Sequence, residues 1–397
     1  MKKNVLKIAA CLSIIIALTT SCTNDDSSND STISSIDPAN FQGTIESGRT
    51  VTLDASKTYH LTGKLLVEAG ATLNIPEGTH IVGEKGATYI IVDRDAKIYI
   101  NGTASNPVIF DGASHTQGYW GGIVILGNAP SNRSANGTST SELGDLTYGG
   151  TNSADSSGSI KYCVIKDTGF KYNPEKEFNG LSLFGCGSGT TISYVYVANG
   201  ADDAIESFGG SPKYDHLVLI GNQDDSFDWT EGFSGTASYV YASRDKQYQD
   251  TSDPGNRGFE CDTQDTDPET TNGNGASTPH ISNITVIGNK AGSESQALKL
   301  RAGTEGFFDN VVLANFDVGI NIETARSFEW FGTGDKITNV NFVEVNTSLK
   351  LKAYSGSSVT WYSENSSATG AGNGTALPDW AKGWTGLTSW DIVNASN

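Results

Sequence analysis

The stretch that decides the fold reads ISYVYVANGADDAIESFGG from Ile192, DHLVLIGNQDDSFDWTEG from Asp215 and ASYVYASRDK from Ala237, and it ends in GFECD from Gly258. Each line begins with a short run of apolar and β-branched residues and passes through a corner of Gly, Asn and Asp into an alternating strand. The same order of strand, corner and strand is therefore repeated along the chain.

The first strands of the repeat align in one column. Its members are Val195, Leu217, Val240, Ile284 and Val311, at spacings of 22, 23, 44 and 27 residues. A repeat near 22 residues made of short strands is typical of a solenoid in which each coil stacks on the one before it. Since no useful helical apolar spacing occurs after the leader, the sequence predicts an all-β chain built as one elongated solenoid.

The second strands carry an apolar column and, one residue later, a polar column. The apolar column is Leu181, Ile205, Phe227, Phe259, Leu298 and Ile320. The polar column is Ser182, Glu206, Asp228, Glu260, Lys299 and Asn321. Because successive strand residues point to opposite sides, an inward apolar column places the polar column outside. Its three carboxylates are then predicted to form a ladder with about 4.8 Å between rungs.

Neighbouring carboxylates at this spacing repel by roughly 1 kcal/mol in water and about 3–4 kcal/mol at an effective dielectric of 20. Asp203, Asp225 and Asp262 add further charge near the ladder. Raised pKa values, pairing with basic neighbours, or a hard cation such as Ca²⁺ would each relieve the repulsion. The basic residues available for pairing are Arg257, Lys299 and Arg301. The expected metal ligands are Glu206, Asp228, Glu260 and Asp262.

The chain begins with the features of an exported protein. Residues 1–21 contain three lysines and then an apolar run from Ile8 to Leu18, which is too short to span a bilayer and predicts a signal peptide. Cys22 follows directly and resembles the acylated cysteine of a bacterial lipobox, although Thr19 stands where leucine is usual. Residues 22–40 form a polar tether, predicted to be disordered, whose acidic start resembles a surface-export signal. We therefore expect an outer-membrane lipoprotein exposed at the cell surface.

The remaining chain divides by composition. Residues 41–355 follow the strand and corner pattern, and predicted loop insertions interrupt it near 131–158, 244–256 and 262–279. Residues 356–397 lack the repeat and contain Trp361, Trp380, Trp384 and Trp390. An open solenoid end exposes apolar side chains and unpaired strand edges. The Trp-rich segment is therefore predicted to be a C-terminal cap, with an aromatic platform for sugar rings as the functional alternative.

The composition argues against several kinds of partner and site. The formal net charge of −19 argues against nucleic acid or anionic lipid as a partner and is compatible with cation binding. The five histidines are far apart, without the spacing of a zinc site. Cys163, Cys186 and Cys261 occupy non-equivalent places in the repeat, so we expect buried thiols rather than a disulfide framework.

Four motifs carry a resemblance to known proteins: YWGGIVILGNAP (119–130), NGLSLFGCGSGTTISYVYV (179–197), ADDAIESFGG (201–210) and GNQDDSFDWTEG (221–232). The repeat over residues 41–360 resembles the right-handed parallel β-helix of the pectin-lyase superfamily. The motifs together resemble a widespread group of bacterial surface lipoproteins for which no activity is established. The resemblance implies a single right-handed parallel β-helix with coils of about 22 residues.

Similarity to polygalacturonase-like members of the superfamily also implies a candidate catalytic set. Asp203 and Asp225, each the second residue of a DD pair, would supply the acid and base, and Lys299 and Arg301 would hold a uronate carboxylate. The Gly-His-Gly coil of such enzymes is absent, since residues 257–262 read RGFECD. This absence favours binding over catalysis, while whether the protein is an enzyme stays open.

These patterns predict a surface-exposed lipoprotein that binds an extracellular ligand, a glycan, Ca²⁺ or both, on the acidic face of a β-helix. One alternative is a polysaccharide lyase or glycoside hydrolase that acts on an acidic glycan. Another is a structural or accessory subunit of an outer-membrane complex. The expected partners are the outer membrane through Cys22, a polysaccharide and an outer-membrane protein, with no nucleic acid.

Overall fold

The computed structural model describes residues 36–143, 146–174, 176–248, 257–264 and 275–395. The predicted signal peptide, Cys22 and most of the tether lie outside the described residues. Parts of the predicted loops at 244–256 and 262–279 also lie outside them.

The chain is built from short strands. Those before the first long loop are β1 (Phe41–Ile45), β2 (Thr50–Thr52), β3 (Thr58–Val67), β4 (Thr72–Pro76), β5 (His80–Gly83), β6 (Tyr89–Val92), β7 (Lys97–Asn101), β8 (Val108–Gly112) and β9 (Ile123–Leu126). Next come β10 (Thr138–Thr140), β11 (Thr147–Gly149), β12 (Gly158–Lys166), β13 (Lys171–Asn173) and β14 (Lys176–Glu177). The regular coils contain β15 (Leu181–Phe184), β16 (Thr191–Ala198), β17 (Ile205–Phe208), β18 (Lys213–Ile220), β19 (Phe227–Thr230), β20 (Thr236–Ser243), β21 (Arg257–Cys261), β22 (His280–Ile287), β23 (Gln296–Leu300), β24 (Phe307–Ala314), β25 (Val318–Ile322), β26 (Ile337–Val343) and β27 (Thr347–Leu351).

Helices are few and short in the part of the chain that the structure describes. They are α1 (Ala325–Phe331), α2 (Ile392–Ala395) and the 3₁₀ turns Lys246–Tyr248 and Asp379–Ala381. Among the described residues, no helix has the length and apolar content needed to cross a membrane.

Apart from the hairpins β10–β11 and β13–β14, the described strands join in one parallel sheet that winds around itself. We call face 1 the side that contains β6, β9, β15, β17, β19, β21, β23, β25 and β27. The long strands are β12, β16, β18, β20, β22, β24 and β26. Their first halves form face 2, and their second halves form face 3. The architecture is a parallel β-helix, which confirms the fold class predicted from the repeat.

The coils stack in the register that the sequence alignment predicts. On the long strands, Val195, Leu217, Val240, Ile284 and Val311 are successive partners. On face 1, the successive partners are Leu181, Ile205, Phe227, Phe259, Leu298 and Ile320. All of these side chains are fully buried, and each contributes roughly 1.5–3 kcal/mol of hydrophobic stabilisation. A slip of one residue would bring the whole column to the outside, which is why the register is well determined.

Each long strand bends once, at a residue in the left-handed backbone region. These residues stack in a corner between faces 2 and 3 with φ from 48° to 57°, and they are Tyr162, Tyr194, His216, Tyr239, Asn283, Asn310 and Asn339. The left-handed conformation costs roughly 1–2 kcal/mol for residues other than Gly, Asn and Asp. Stacking of the aromatic rings offsets this cost, since consecutive ring centroids lie 4.4, 4.5 and 4.6 Å apart from Tyr162 to Tyr239.

The interior holds the three cysteines predicted to be buried thiols. Cys163, Cys186 and Cys261 are free and fully buried. Burial raises the pKa of each thiol, so these side chains act as small apolar groups of the core.

The Trp-rich C-terminal segment contacts the β-helix at two places. Trp361 packs among the core residues of the last coil. The ring of Trp380 meets that of His216 edge-on, with centroids 4.8 Å apart. Trp384 and Trp390 pack beside Trp380 on the side of the β-helix. The part around Trp361 therefore lies against the last coil, whereas Trp380 and Trp384 lie beside the corner between faces 2 and 3.

Candidate functional site

The polar column on face 1 changes from acidic to basic along the β-helix. In strand order from β15 to β27 it contains Ser182, Glu206, Asp228, Glu260, Lys299, Asn321 and Lys350, each partnered with the next. Glu260 stands at the boundary between the two halves. It and Lys299 are both only 7% exposed, so the charges near the boundary are largely removed from water.

Arg257 is the main partner of the carboxylates at this boundary. Its guanidinium lies 3.1 Å from Asp225 and 2.8 Å from Glu294, and it also pairs with Glu260. Lys299 adds contacts of 3.2 Å to Glu260 and 3.3 Å to Glu294. Burial acts to raise the pKa of Glu260, but the surrounding cations outweigh it and the pKa is lowered. Glu260 is therefore an ionised, compensated carboxylate.

Arg301 holds the two acidic residues at the end of β21. Its Nε lies 2.8 Å from Glu260, and its two nitrogens donate to the two oxygens of Asp262 at 2.8 and 2.7 Å. Burial still raises the pKa of Asp262 to about 6 despite this pairing. This bidentate pair nevertheless engages both carboxylate oxygens of Asp262, the atoms that a metal ion would bind.

The acidic half of the column is without such compensation. Asp203, Glu206 and Asp228 have no Lys, Arg or His within ion-pair distance in the described part of the chain. Asp203 accepts a hydrogen bond from the backbone N–H of Asp225 at 2.7 Å, and Glu206 accepts one from the Asn179 amide at 2.6 Å. The Oδ1 of Asp228 is buried without a hydrogen-bond partner. We call Asp203, Glu206 and Asp228 the acidic cluster.

The pKa values of the acidic cluster show that ionisation of its carboxyl groups is disfavoured. Burial raises the pKa of Asp203, Glu206 and Asp228 well above their usual values, and neighbouring carboxylates raise each of them further. At neutral pH the cluster therefore needs either bound protons or a bound cation.

The geometry of the acidic cluster suits a cation. One carboxylate oxygen from each of its three residues lies within 4.8 Å of the others, so the cluster can hold a metal ion. The Oδ1 of Asn179 is also buried without a partner, and the side chain is only 3% exposed. Of the four metal ligands predicted from the sequence, Glu206 and Asp228 belong to the cluster, while Glu260 and Asp262 are paired with basic side chains.

The predicted catalytic residues contact other groups of the protein, and the two aspartates among them are buried. Asp203 and Asp225 are 5% and 1% exposed, and Asp225 is paired with Arg257. Lys299 and Arg301, predicted to hold a uronate, bind the protein's own carboxylates instead. Breaking these pairs to admit a ligand would leave a buried charge unpaired, which costs several kcal/mol.

An open cleft of about 450 Å³ lies beside the acidic cluster. Asp202 and Asp224, the first residues of the two DD pairs, line it together with Phe170, Lys171 and Gln223. Both pairs lie in the corners before β17 and β19, where the first Asp of each pair is half-buried at the cleft and the second is buried. Burial and the charge of Asp224 raise the pKa of Asp202 well above its usual value.

Sequence reasoning missed two acidic residues that act on this face. Glu294 lies in the segment before β23 and bridges Arg257 and Lys299. Glu142 lies between β10 and β11, and its charge adds to the burial that raises the pKa of Glu206. Neither residue belongs to the repeat, so the alignment of columns gave no position for them.

The fold and the site together define a parallel β-helix with a charged column along one outer face. The model of the pectate-lyase-like β-helix domain family matches residues 43–385, and the chain belongs to this family. The right-handed β-helix of pectin-lyase-like proteins, predicted from the repeat over residues 41–360, is thereby confirmed.

Two phage tailspikes are among the solved structures similar to this chain. The enzymatically active domain of tailspike protein 2 from bacteriophage CBA120 is 12% identical, with 77% of this chain and 41% of that chain covered and a TM-score of 0.27. The Dettilon tailspike protein is 9% identical, with 74% and 52% covered and a TM-score of 0.32. This chain thus spans about half the length of these tailspikes. No curated protein matches the sequence.

Proposed function

We propose that this protein binds a polysaccharide through a Ca²⁺ ion held by the acidic cluster on face 1. The observation that carries the proposal is the convergence of three carboxylates from neighbouring coils, which lack a basic partner among the described residues. Ca²⁺ takes about 6–8 oxygen ligands in a flexible geometry. Part of this set comes from the carboxylates of Asp203, Glu206 and Asp228 and from the side-chain amide oxygen of Asn179. Oxygens of the glycan and of water complete it.

The proposal places the ion at Asp203 rather than at Glu260 or Asp262. Arg301 already binds both of the latter residues, at 2.8 and 2.7 Å. A cation beside them would meet the like charge of the guanidinium. Asp203 has no such neighbour among the described residues and shares the cluster with Glu206 and Asp228.

Two features support a polysaccharide as the ligand. Pectate lyase, after which the family is described, acts on pectate, a polysaccharide that carries carboxylates. The cleft lined by Asp202 and Asp224 lies next to the cluster and is open to solvent, so a chain of sugar units can lie along it. A carboxylate or hydroxyl of the glycan would then reach the ion without displacing an internal ion pair.

Calorimetric titration with polygalacturonate tests this function. We expect binding in Ca²⁺ and an affinity at least about ten-fold weaker in EDTA, which corresponds to about 1.4 kcal/mol. Glu206→Gln should show the same loss in Ca²⁺, whereas Asp379→Asn, which removes a carboxylate whose side chain is 90% exposed, should not. Equal affinity in Ca²⁺ and EDTA, or binding of neutral dextran with the same strength, would contradict the proposal.

A second candidate function, cleavage of an acidic polysaccharide, is favoured by one observation. Asp202 lines the open cleft, and burial and the charge of Asp224 raise its pKa, the direction that a general acid requires. New reducing or unsaturated ends in the same titration samples, lost in Asp202→Asn, would support this function. Unchanged polymer length would leave binding as the function.

The proposal includes attachment to the outer membrane through a lipid on Cys22, with the β-helix at the cell surface. The support is the apolar run of residues 8–18, followed after three small polar residues by Cys22 and an acidic tether. Cys22→Ser is expected to move the protein from the membrane fraction to the soluble fraction. Retention of the Cys22→Ser protein in the membrane, with the signal peptide removed, would contradict lipid anchoring.

A further inference from the structure

A second charged pocket lies at the other end of face 1. It has a volume of about 500 Å³, and its basic lining residues are Lys290, Lys299, Arg301, Lys350 and Lys352. These are five of the 26 basic residues of a chain whose formal net charge is −19. The pocket therefore concentrates positive charge on a protein that is otherwise strongly acidic.

Three carboxylates also line the pocket, and each is already engaged. Glu294 binds Arg257 at 2.8 Å. Glu323 and Asp317 accept hydrogen bonds from side-chain amides at 2.7 and 3.1 Å. Lys299 and Arg301 form the inner wall and are held by the carboxylates of the neighbouring coil. The inner wall is thus close to neutral, while Glu323 and Asp317 keep their negative charge, so the lining as a whole holds five cationic and three anionic side chains.

The outer lysines are available to a ligand. Lys350 extends the polar column of face 1 on β27, and no carboxylate of the described residues lies within ion-pair distance of it. Lys290 pairs at 3.3 Å with Glu344, whose side chain is 58% exposed, and such surface pairs contribute little. Lys352 contacts Glu323 at 3.1 Å but is 64% exposed and keeps free N–H donors.

We propose that this pocket binds a sulfate or phosphate group of an extracellular ligand through Lys290, Lys350 and Lys352. Ammonium groups are compact charges that can surround a tetrahedral oxyanion from several directions. A planar carboxylate offers only two oxygens, which the fork of one arginine can bind together, whereas a sulfate or phosphate group offers three or more oxygens to separate ammonium groups. The arginine of this pocket, Arg301, already uses its fork on Asp262, at 2.8 and 2.7 Å. The remaining donors therefore favour the tetrahedral oxyanion.

This site is separate from the proposed calcium site. Along the column, Lys350 lies four rungs beyond Asp228, which is roughly 19 Å at about 4.8 Å per rung. No residue of the acidic cluster lines the pocket. Binding of the oxyanion therefore needs no Ca²⁺ and goes beyond the proposed function.

Titration of the full chain with dextran sulfate in EDTA tests the inference, because EDTA removes any contribution of the calcium site. We expect binding that inorganic phosphate competes away and that neutral dextran and polygalacturonate do not reproduce. Lys350→Gln should weaken it about ten-fold, the size of one charged hydrogen bond, and Lys350→Arg should largely keep the affinity. Lys57→Gln, at the opposite end of the β-helix and 54% exposed, is the matched control.

Four outcomes would overturn the inference. They are no binding of dextran sulfate in EDTA, equal binding by neutral dextran, equal losses in Lys350→Gln and Lys57→Gln, and equal binding of polygalacturonate in EDTA. The last result would show a pocket that does not prefer a tetrahedral oxyanion. Because every measurement is made without Ca²⁺, none of these results bears on the acidic cluster.

Discussion

Asp228→Asn is expected to abolish the rise in melting temperature that Ca²⁺ gives the wild-type protein at pH 8. Asp228 belongs to the acidic cluster, and its buried Oδ1 has no hydrogen-bond partner among the described residues. At a Ca²⁺ concentration 100-fold above Kd, binding to the folded state alone stabilises the wild type by about 2.7 kcal/mol. The variant has one ligand charge fewer and should lose most of this gain.

In EDTA the same substitution should have the opposite effect on stability. The pKa values of the cluster are raised in the folded protein above the ordinary values of 3.8 for Asp and 4.5 for Glu. The cluster thus binds more protons in the folded than in the unfolded state, so its contribution to stability is fully present below about pH 4 and is lost as the pH rises through the raised pKa values. Asp228→Asn removes one repelling charge and should make this fall shallower. Glu260 and Glu294 have lowered pKa values and affect stability only below about pH 4.5.

Differential scanning calorimetry from pH 4 to pH 8, with Ca²⁺ or EDTA, measures both effects. Asp379→Asn serves as the control, because it removes a charge of the same type from an exposed position. A Ca²⁺ response in Asp228→Asn equal to that of the wild type would remove Asp228 from the site. A wild-type melting temperature that stays constant across this pH range in EDTA would contradict the raised pKa values.

Arg257→Met is expected to give the largest loss of stability among single changes on face 1. Arg257 is 8% exposed and compensates Asp225, Glu260 and Glu294. Removing one partner of a buried ion pair costs about 3–5 kcal/mol, because the remaining charges stay buried without compensation. Denaturant unfolding at pH 8 should show this loss, and the loss should shrink at pH 5, where the released carboxyls take up protons.

Arg326→Met is the matched control for this prediction. Arg326 pairs at 3.6 Å with Glu305 and is 34% exposed, so its removal should cost no more than about 1 kcal/mol. Equal losses in the two variants, or a loss in Arg257→Met that does not depend on pH, would show that Arg257 does not carry the compensation.

Much of the fold follows from residue periodicity. An apolar column shifted by one position would face solvent, so Ile205, Phe227 and Phe259 determine their own register. The corner between faces 2 and 3 does not follow from this periodicity. Tyr194 and Tyr239 adopt a left-handed backbone that tyrosine disfavours, and the stacking of both rings on His216 between them stabilises it.

The sequence by itself determined the β-helix and the order of charges along its outer column, because both depend on a repeat that is local and periodic. Only the tertiary structure decided which carboxylates are compensated. Glu260 is compensated by Arg257 and Lys299, whereas Glu206 and Asp228 are not, within the described residues. The reason is physical: the repeat brings Arg257 and Lys299 near the carboxylates, but burial and the side-chain contacts, including those of Glu294 from outside the repeat, decide which charges pair.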